Sequence, residues 1–110
     1  MDDRVLTEHV ERFNEGIRSG DWAPMLAAFA PDAELVFQGL PVGPFAGRDA
    51  IEQAYREQPP DDEVRLLGSI RVEDGALVAD YAWVREGTRA GRMLLTPRDG
   101  AITRLVVTFE

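Results

Sequence analysis

The sequence contains no cysteine, which excludes disulfides and thiolate metal ligands. It contains one histidine, His9, so a metal site built from several imidazoles is excluded too. Positive charge is in short supply: 12 basic residues stand against 20 acidic ones, a formal net charge of −8. Such a field repels nucleic acid and anionic lipid and favours solubility. No apolar run approaches the roughly 20 residues that a membrane-spanning helix needs. The beginning, Met1–Asp2–Asp3, is acidic and lacks the basic-then-apolar order of a signal peptide. Together these absences predict a cytoplasmic protein with no nucleic-acid partner, no membrane partner and no metal.

What is present suffices for one core. A chain of 110 residues, 45% of them hydrophobic, predicts a single domain over residues 1–110. Roughly two thirds of the surface exposed by the unfolded chain should be buried. Leu6, Val10, Phe13 and Ile17 make an apolar helical stripe that Ser19–Gly20 stops. Gly16 within it weakens the helix slightly and leaves room for a close neighbour. Asp21 can cap a second helix, in which Trp22, Met25, Leu26 and Phe29 share one face. Pro24 is tolerated there because it lies in the first turn.

Residues 33–37 read as a strand, with Leu35 and Phe37 on one face and Glu34 and Val36 on the other. Three glycines and two prolines between Gln38 and Gly47 predict an irregular loop. Arg48 to Gln58 reads as a third helix, ended by Pro59–Pro60. From Val64 the hydrophobic period changes from 3.6 to 2. Asp74–Gly75 and Asp99–Gly100 are hairpin signals, and Glu86 to Gly91 is a further turn. Leu77, Ala79, Tyr81 and Trp83 fall on one face of a strand. Arg92–Thr96 is a short strand, and Thr103, Leu105, Val107 and Phe109 lie together on the last one. Helices followed by a meander give an α+β order. Several strands are apolar on both faces, so the outer face needs a cover, and a homodimer supplies the simplest one.

The run FNEGIRSGDWAPMLAAF from Phe13 to Phe29, then PDAELVF, then FAGRDAIEQAY, resembles the NTF2-like superfamily, in its SnoaL-like and ketosteroid-isomerase-like branches. The resemblance covers nearly the whole chain. It implies an NTF2-like (cystatin-like) cone, three N-terminal helices packed in a curved mixed or antiparallel sheet, with a pocket inside. It implies function more loosely, because the superfamily holds isomerases, cyclases, dehydratases, epoxide hydrolases and non-catalytic binding modules. The ketosteroid isomerases use a tyrosine and a protonated aspartic acid as oxyanion hole, with an aspartate base. Carried onto this chain, the tyrosine falls at Phe13, the base at Phe37 or Gln38, and the aspartic acid at or near Arg92 or Met93. None of these can do the family's chemistry, so steroid isomerisation by that mechanism is not expected.

The resemblance makes a ligand pocket of the inward apolar residues. Phe13, Ile17, Trp22, Leu26, Phe29, Leu35, Phe37, Trp83, Val107 and Phe109 are the expected ligand-binding set; the competing reading makes them simple core. Tyr81, Tyr55, Arg92 and His9 are the candidate catalytic groups. Either tyrosine could donate to a bound carbonyl or enolate, or be a buried tyrosine bonded to backbone. Arg92 could bind a carboxylate or enolate oxygen, or be solvated after its hairpin. His9 could exchange a proton at the pocket edge, or be packed. Asp80 alternates onto the outer or dimer face, where it reads as the partner of an arginine, Arg104 or Arg92. Asp61–Asp62–Glu63 reads as a solvated acidic loop, since the spacing of a calcium loop is missing. The expected function is binding of a small apolar molecule, with any reaction a cofactor-independent isomerisation, cyclisation or dehydration. The alternative is a non-catalytic dimeric interaction module.

Overall fold

In the computed structural model, which describes residues 2–110, the apolar stripes become three helices inside a curled sheet. Helix α1 spans Arg4–Ser19 and ends at Gly20 in the left-handed region, whose N–H donates to the carbonyl of Gly16. Helix α2 is short, Ala23–Ala27, and the Asp21 carboxylate accepts from the Ala23 N–H at 3.0 Å. Helix α3 spans Arg48–Glu57. The strands are β1 Phe29–Gln38, β2 Phe45–Ala46, β3 Val64–Glu73, β4 Ala76–Trp83, β5 Arg89–Arg98 and β6 Ala101–Thr108.

They form one sheet in the order β2-β1-β6-β5-β4-β3, with β1 and β6 parallel and every other pair antiparallel. The two tight hairpins fall at the predicted dipeptides. Asp74 and Gly75 take φ of 51° and 79°, and Asp99 and Gly100 take 53° and 81°, as a two-residue turn that matches strand twist requires.

Three boundaries differ from the sequence reading. Phe29 is not on α2 but begins β1, because α2 stops after five residues. Its side chain is still fully buried, since the chain re-enters the core as a strand. Strand β1 therefore runs 29–38 rather than 33–37, with a register break between Phe29 and Glu34 that absorbs Pro31. The loop from Gln38 to Gly47 contains a two-residue strand, β2, whose Phe45 pairs with Leu35. Strand β5 begins at Arg89, not Arg92, so Gly91 lies within a strand opposite Tyr81 rather than in a turn. A Cβ at Gly91 would sit 2.0 Å from the Thr108 carbonyl oxygen, so glycine is needed there for close approach, not for turning.

The helices are fixed to the sheet at named points. Trp22 packs over Gly16, where an added Cβ would meet the indole at 2.3 Å. The Asn14 carboxamide donates to the Val64 carbonyl and accepts from the Val64 N–H, both at 2.8 Å, so α1 is pinned to the edge strand as a strand partner would be. The Arg48 guanidinium donates to the Phe29 carbonyl at 3.0 Å through Nε, tying α3 to the start of β1.

The core is contiguous and lies between helices and sheet, with Leu6, Met25, Phe29, Leu35, Ile51, Leu77, Tyr81, Leu95 and Ile102 fully buried. Odd-numbered side chains of β4, from Leu77 to Tyr81, face it, as their alternation predicts. Asp80 takes the opposite face, but its partners are Arg89 at 3.4 Å and Arg71 at 3.9 Å, not Arg104 or Arg92. Arg104 pairs instead with Glu34 at 2.9 Å, because β6 lies beside β1. Arg92 is 3.8 Å from Glu110.

Candidate functional site

The helices close one end of the cone and leave the other end hollow. The hollow is a cavity of about 570 Å³. Inner-face residues of the long strands build one side of it: Phe37 from β1, Tyr81 and Trp83 from β4, Met93 from β5, and Leu105 and Val107 from β6, with Phe109 just beyond. His9 and Phe13 from α1 and Ala54 and Tyr55 from α3 build the other. Leu40, Val42 and Phe45 come from the loop before α3, and Gln58, Pro60, Asp61, Asp62, Arg85 and Glu86 complete the wall.

Aromatic rings supply most of the open end. Trp83 and Phe109 stack at 6.5 Å between centroids with 29° between planes. Phe37 contacts Phe45 and Phe109 edge-on at 6.1 and 5.9 Å, and Tyr81 meets Trp83 edge-on at 5.9 Å. Such tilted contacts suit ring quadrupoles and stiffen the wall. Phe37, Trp83 and Phe109 are only partly buried, although each packs against the core.

Of the expected ligand-binding set, Phe13, Phe37, Trp83, Val107 and Phe109 line this cavity. Ile17, Phe29 and Leu35 do not; the last two are wholly enclosed in the core at the closed end. Trp22 and Leu26 line a separate shallow groove between α2 and α3, which Tyr55 also borders. The contribution of the loop, Leu40, Val42 and Phe45, was not legible beforehand. Its glycines and prolines mark irregular backbone but not its direction, and only the pairing of Phe45 with Leu35 carries it to the mouth.

The polar candidates divide in the same way. His9 is in the wall, 2% exposed, edge-on to Phe29 at 5.7 Å. It therefore lies where the cavity meets the closed core. Its Nδ1 is buried without a hydrogen-bond partner. Burial first, and the Arg12 charge second, hold its pKa down to about 4. The ring is thus neutral at physiological pH.

Tyr55 is buried, and burial raises its pKa above the ordinary tyrosine value. Tyr81 donates to the Thr108 carbonyl at 2.8 Å. Burial, with a smaller push from the Glu110 charge, raises its pKa to about 12. Both remain phenols, and the Tyr81 proton is committed to backbone. The space that Gly91 leaves beside Thr108 permits that bond.

Arg92 is not brought to the cavity. Met93, its neighbour, takes the inner position, and Arg92 projects from the other face toward Glu110. At the mouth, Arg85 is held by the acidic loop. Its backbone N–H donates to the Asp62 carboxylate at 3.1 Å, and its guanidinium donates to the Asp61 carbonyl at 2.5 Å. This joins the segment before β3 to the turn after β4. Among the described residues, no three His, Asp or Glu side chains converge in a metal-holding group. The sequence has no lysine, so the wall offers no amine for imine chemistry.

Of the positions onto which the resemblance carries isomerase catalysis, Phe13, Phe37 and Met93 are in the cavity wall, and the alternatives Gln38 and Arg92 are not. Those wall positions carry hydrocarbon where the resemblance would lead one to expect polar groups.

Comparison with known proteins places this geometry in a family. The model of the SnoaL-like domain family matches residues 10–109. No curated protein sequence matches significantly. Among solved structures, an NTF2-like protein of unknown function from Exiguobacterium sp. 255-15 superposes with a TM-score of 0.73 at 16% identity, covering 96% of this chain and 98% of that one. An NTF2-like protein of unknown function from Burkholderia xenovorans LB400 gives 0.70 at 15% identity, covering 100% and 86%. A provisionally assigned isomerase from Bacillus subtilis gives 0.70 at 15% identity, covering 100% and 90%. At these identities the likeness is one of fold, the NTF2-like α+β cone.

Proposed function

The chain belongs to the SnoaL-like domain family, and from that premise we propose that it binds a small hydrophobic molecule inside the cone. The observation that carries the reading is the hollow itself. An interaction module with a filled cone would have Phe37, Trp83 and Phe109 meeting the helices. Trp83 does reach Phe13 of α1, at 6.5 Å between ring centroids, yet all three still border about 570 Å³ of space. That volume lies within the range of small-molecule sites, and the wall is apolar with few polar groups, as such sites are.

Reaction in this cavity is a cofactor-independent proton transfer of the isomerase, cyclase or dehydratase kind. Its available groups on the helices are His9 and Tyr55; Gln58, Asp61, Asp62, Arg85 and Glu86 stand in the loops of the wall. Tyr81 serves as a positioned wall residue, its proton donated to Thr108. Residues 1–110 act as one domain in this reading, in the cytoplasm. No helix among the described residues is long and apolar enough to cross a membrane.

The protein works as a homodimer through the outer sheet face. Val78, Leu94, Val106 and Val36 form a row across four strands there. Asp80 and Arg92 flank it on one side, Glu34 and Arg104 on the other. Val78 and Val106 are already covered within the chain, while Val36 and Leu94 stay part-exposed, and an apolar pair between charges of both signs suits a self-complementary contact. Sedimentation at micromolar concentration should show a dimer that Leu94→Arg splits; a wild-type monomer would remove this part of the reading.

The ligand reading is tested with the neutral dye Nile red. Saturable one-to-one binding with a blue-shifted emission is expected, weakened at least about 5-fold by Val107→Trp, which fills the cavity. Absence of saturation, or a Val107→Trp variant that binds equally well, would return the protein to the interaction-module reading.

A further inference from the structure

Resting on the ligand reading above, we propose that His9 is the polar anchor of the site. It hydrogen-bonds a single hydroxyl at the buried end of an otherwise apolar, uncharged ligand, a hydrophobic alcohol or phenol. The role is one of binding and orientation.

The first argument is position. His9 borders the cavity and packs edge-on to Phe29, which is fully enclosed. The imidazole therefore stands at the floor of the hollow, while the ionic residues Asp61, Asp62, Arg85 and Glu86 stand in the loops at its mouth. A ligand that fills the hollow ends against this ring.

The second argument is an unfinished hydrogen-bond account. Neither ring nitrogen has a partner within the protein: Nδ1 is fully enclosed, and Nε2 is the one left open to the hollow, where a ligand can reach it. Native structures seldom leave a buried imidazole without a single hydrogen bond unless something else supplies one. Phe13, one helical turn along the same face, shows that hydrocarbon suits this wall, so a histidine at position 9 is not required for packing.

The third argument fixes the chemistry of the partner. Burial and the Arg12 charge keep the ring neutral. A neutral imidazole has one N–H and one lone pair, and the tautomer follows its partner. A hydroxyl both donates and accepts, so it satisfies either tautomer. Arg12, whose charge reaches the ring, does not line the cavity, so a carboxylate finds no cation to pair with in the depth of the wall. At the mouth the one arginine, Arg85, is already held by Asp61 and Asp62, with Glu86 adding further negative charge. An anion is therefore disfavoured at both ends.

The test compares 2-naphthol, naphthalene and 2-naphthoate with the isotopically labelled wild-type protein by nuclear magnetic resonance. The Trp83 indole N–H reports entry into the cavity, and the ring nitrogens of the sole histidine report the anchor. The naphthol should bind roughly 10-fold more tightly than naphthalene and move the His9 ring signals, with the naphthoate weakest of the three. His9→Phe should bring naphthol and naphthalene within about 2-fold of each other.

Equal binding of naphthol and naphthalene with unmoved His9 signals would overturn the anchor and leave the cavity reading standing. If none of the three perturbs Trp83, both fall. The ring signals are read on wild-type protein, so the result does not depend on how well the variant folds.

Discussion

The two ends of the cone are made from the same elements and differ in what meets them. At the closed end, Phe29 and Leu35 of β1 lie against Leu6, Met25 and Ile51 and are fully buried. At the open end, Phe37 of the same strand shares a face with Leu35, yet borders the cavity with Trp83 and Phe109. One alternation thus serves packing at one end and enclosure of space at the other. The helices meet the two ends differently: α1 and α3 line the cavity, whereas the five-residue α2 contributes nothing to its wall.

The sharpest way to break this comparison is to remove one ring from each end. Phe29→Ala should cost about 3–5 kcal/mol of stability, as large-to-small changes in tight cores do. Phe37→Ala removes a ring that already borders space, and should cost about 1–2 kcal/mol while weakening dye binding. Denaturant melts of the two variants check this. Equal losses would mean that the open end is packed as tightly as the closed one.

A smaller effect comes from pH and locates His9 between the two ends. Its pKa is about 4 in the folded protein against the ordinary 6.5. The unfolded chain therefore binds the proton more readily. Stability from this group is complete above about pH 6.5 and declines as pH falls toward 4. The decline reaches at most about 3 kcal/mol. His9→Phe should lose that part of the acid dependence in melts between pH 7 and 4. An unchanged pH profile in the variant would show that His9 titrates normally and is reached by water.

How much of this was legible depends on how local each signal is. The inward set on β4 and the two Asp-Gly hairpins follow from alternation and backbone preference, so they could be read directly. Helical spacing continues through residue 29 and puts Phe29 on a helix, whereas α2 stops at Ala27 and β1 begins at Phe29. Arg92 reads from the sequence either as a pocket group or as solvated after a hairpin, because Gly91 looks like part of a turn. Gly91 marks close approach to Thr108, not a turn, and once β5 is extended back to Arg89 the inner position passes to Met93. Asp80 was placed on the correct face, but the register that gives it Arg89 and Arg71 is a long-range property. His9 is one candidate among four in the sequence; Tyr81 and Tyr55 are buried as well, and what separates His9 from Tyr81 is a ring without a hydrogen-bond partner against a hydroxyl bonded to backbone.

The sequence by itself determined the α+β order, the hairpins and the two-sided apolar strands, because each rests on residue identity or on short-range periodicity. The tertiary structure alone decided that the cone is hollow at one end, that the loop carrying Leu40, Val42 and Phe45 closes on it, and that His9 ends at its floor. Those outcomes depend on how far the helices reach across a curved sheet. Reach is set by packing between segments distant in the chain, and neither composition nor periodicity encodes it.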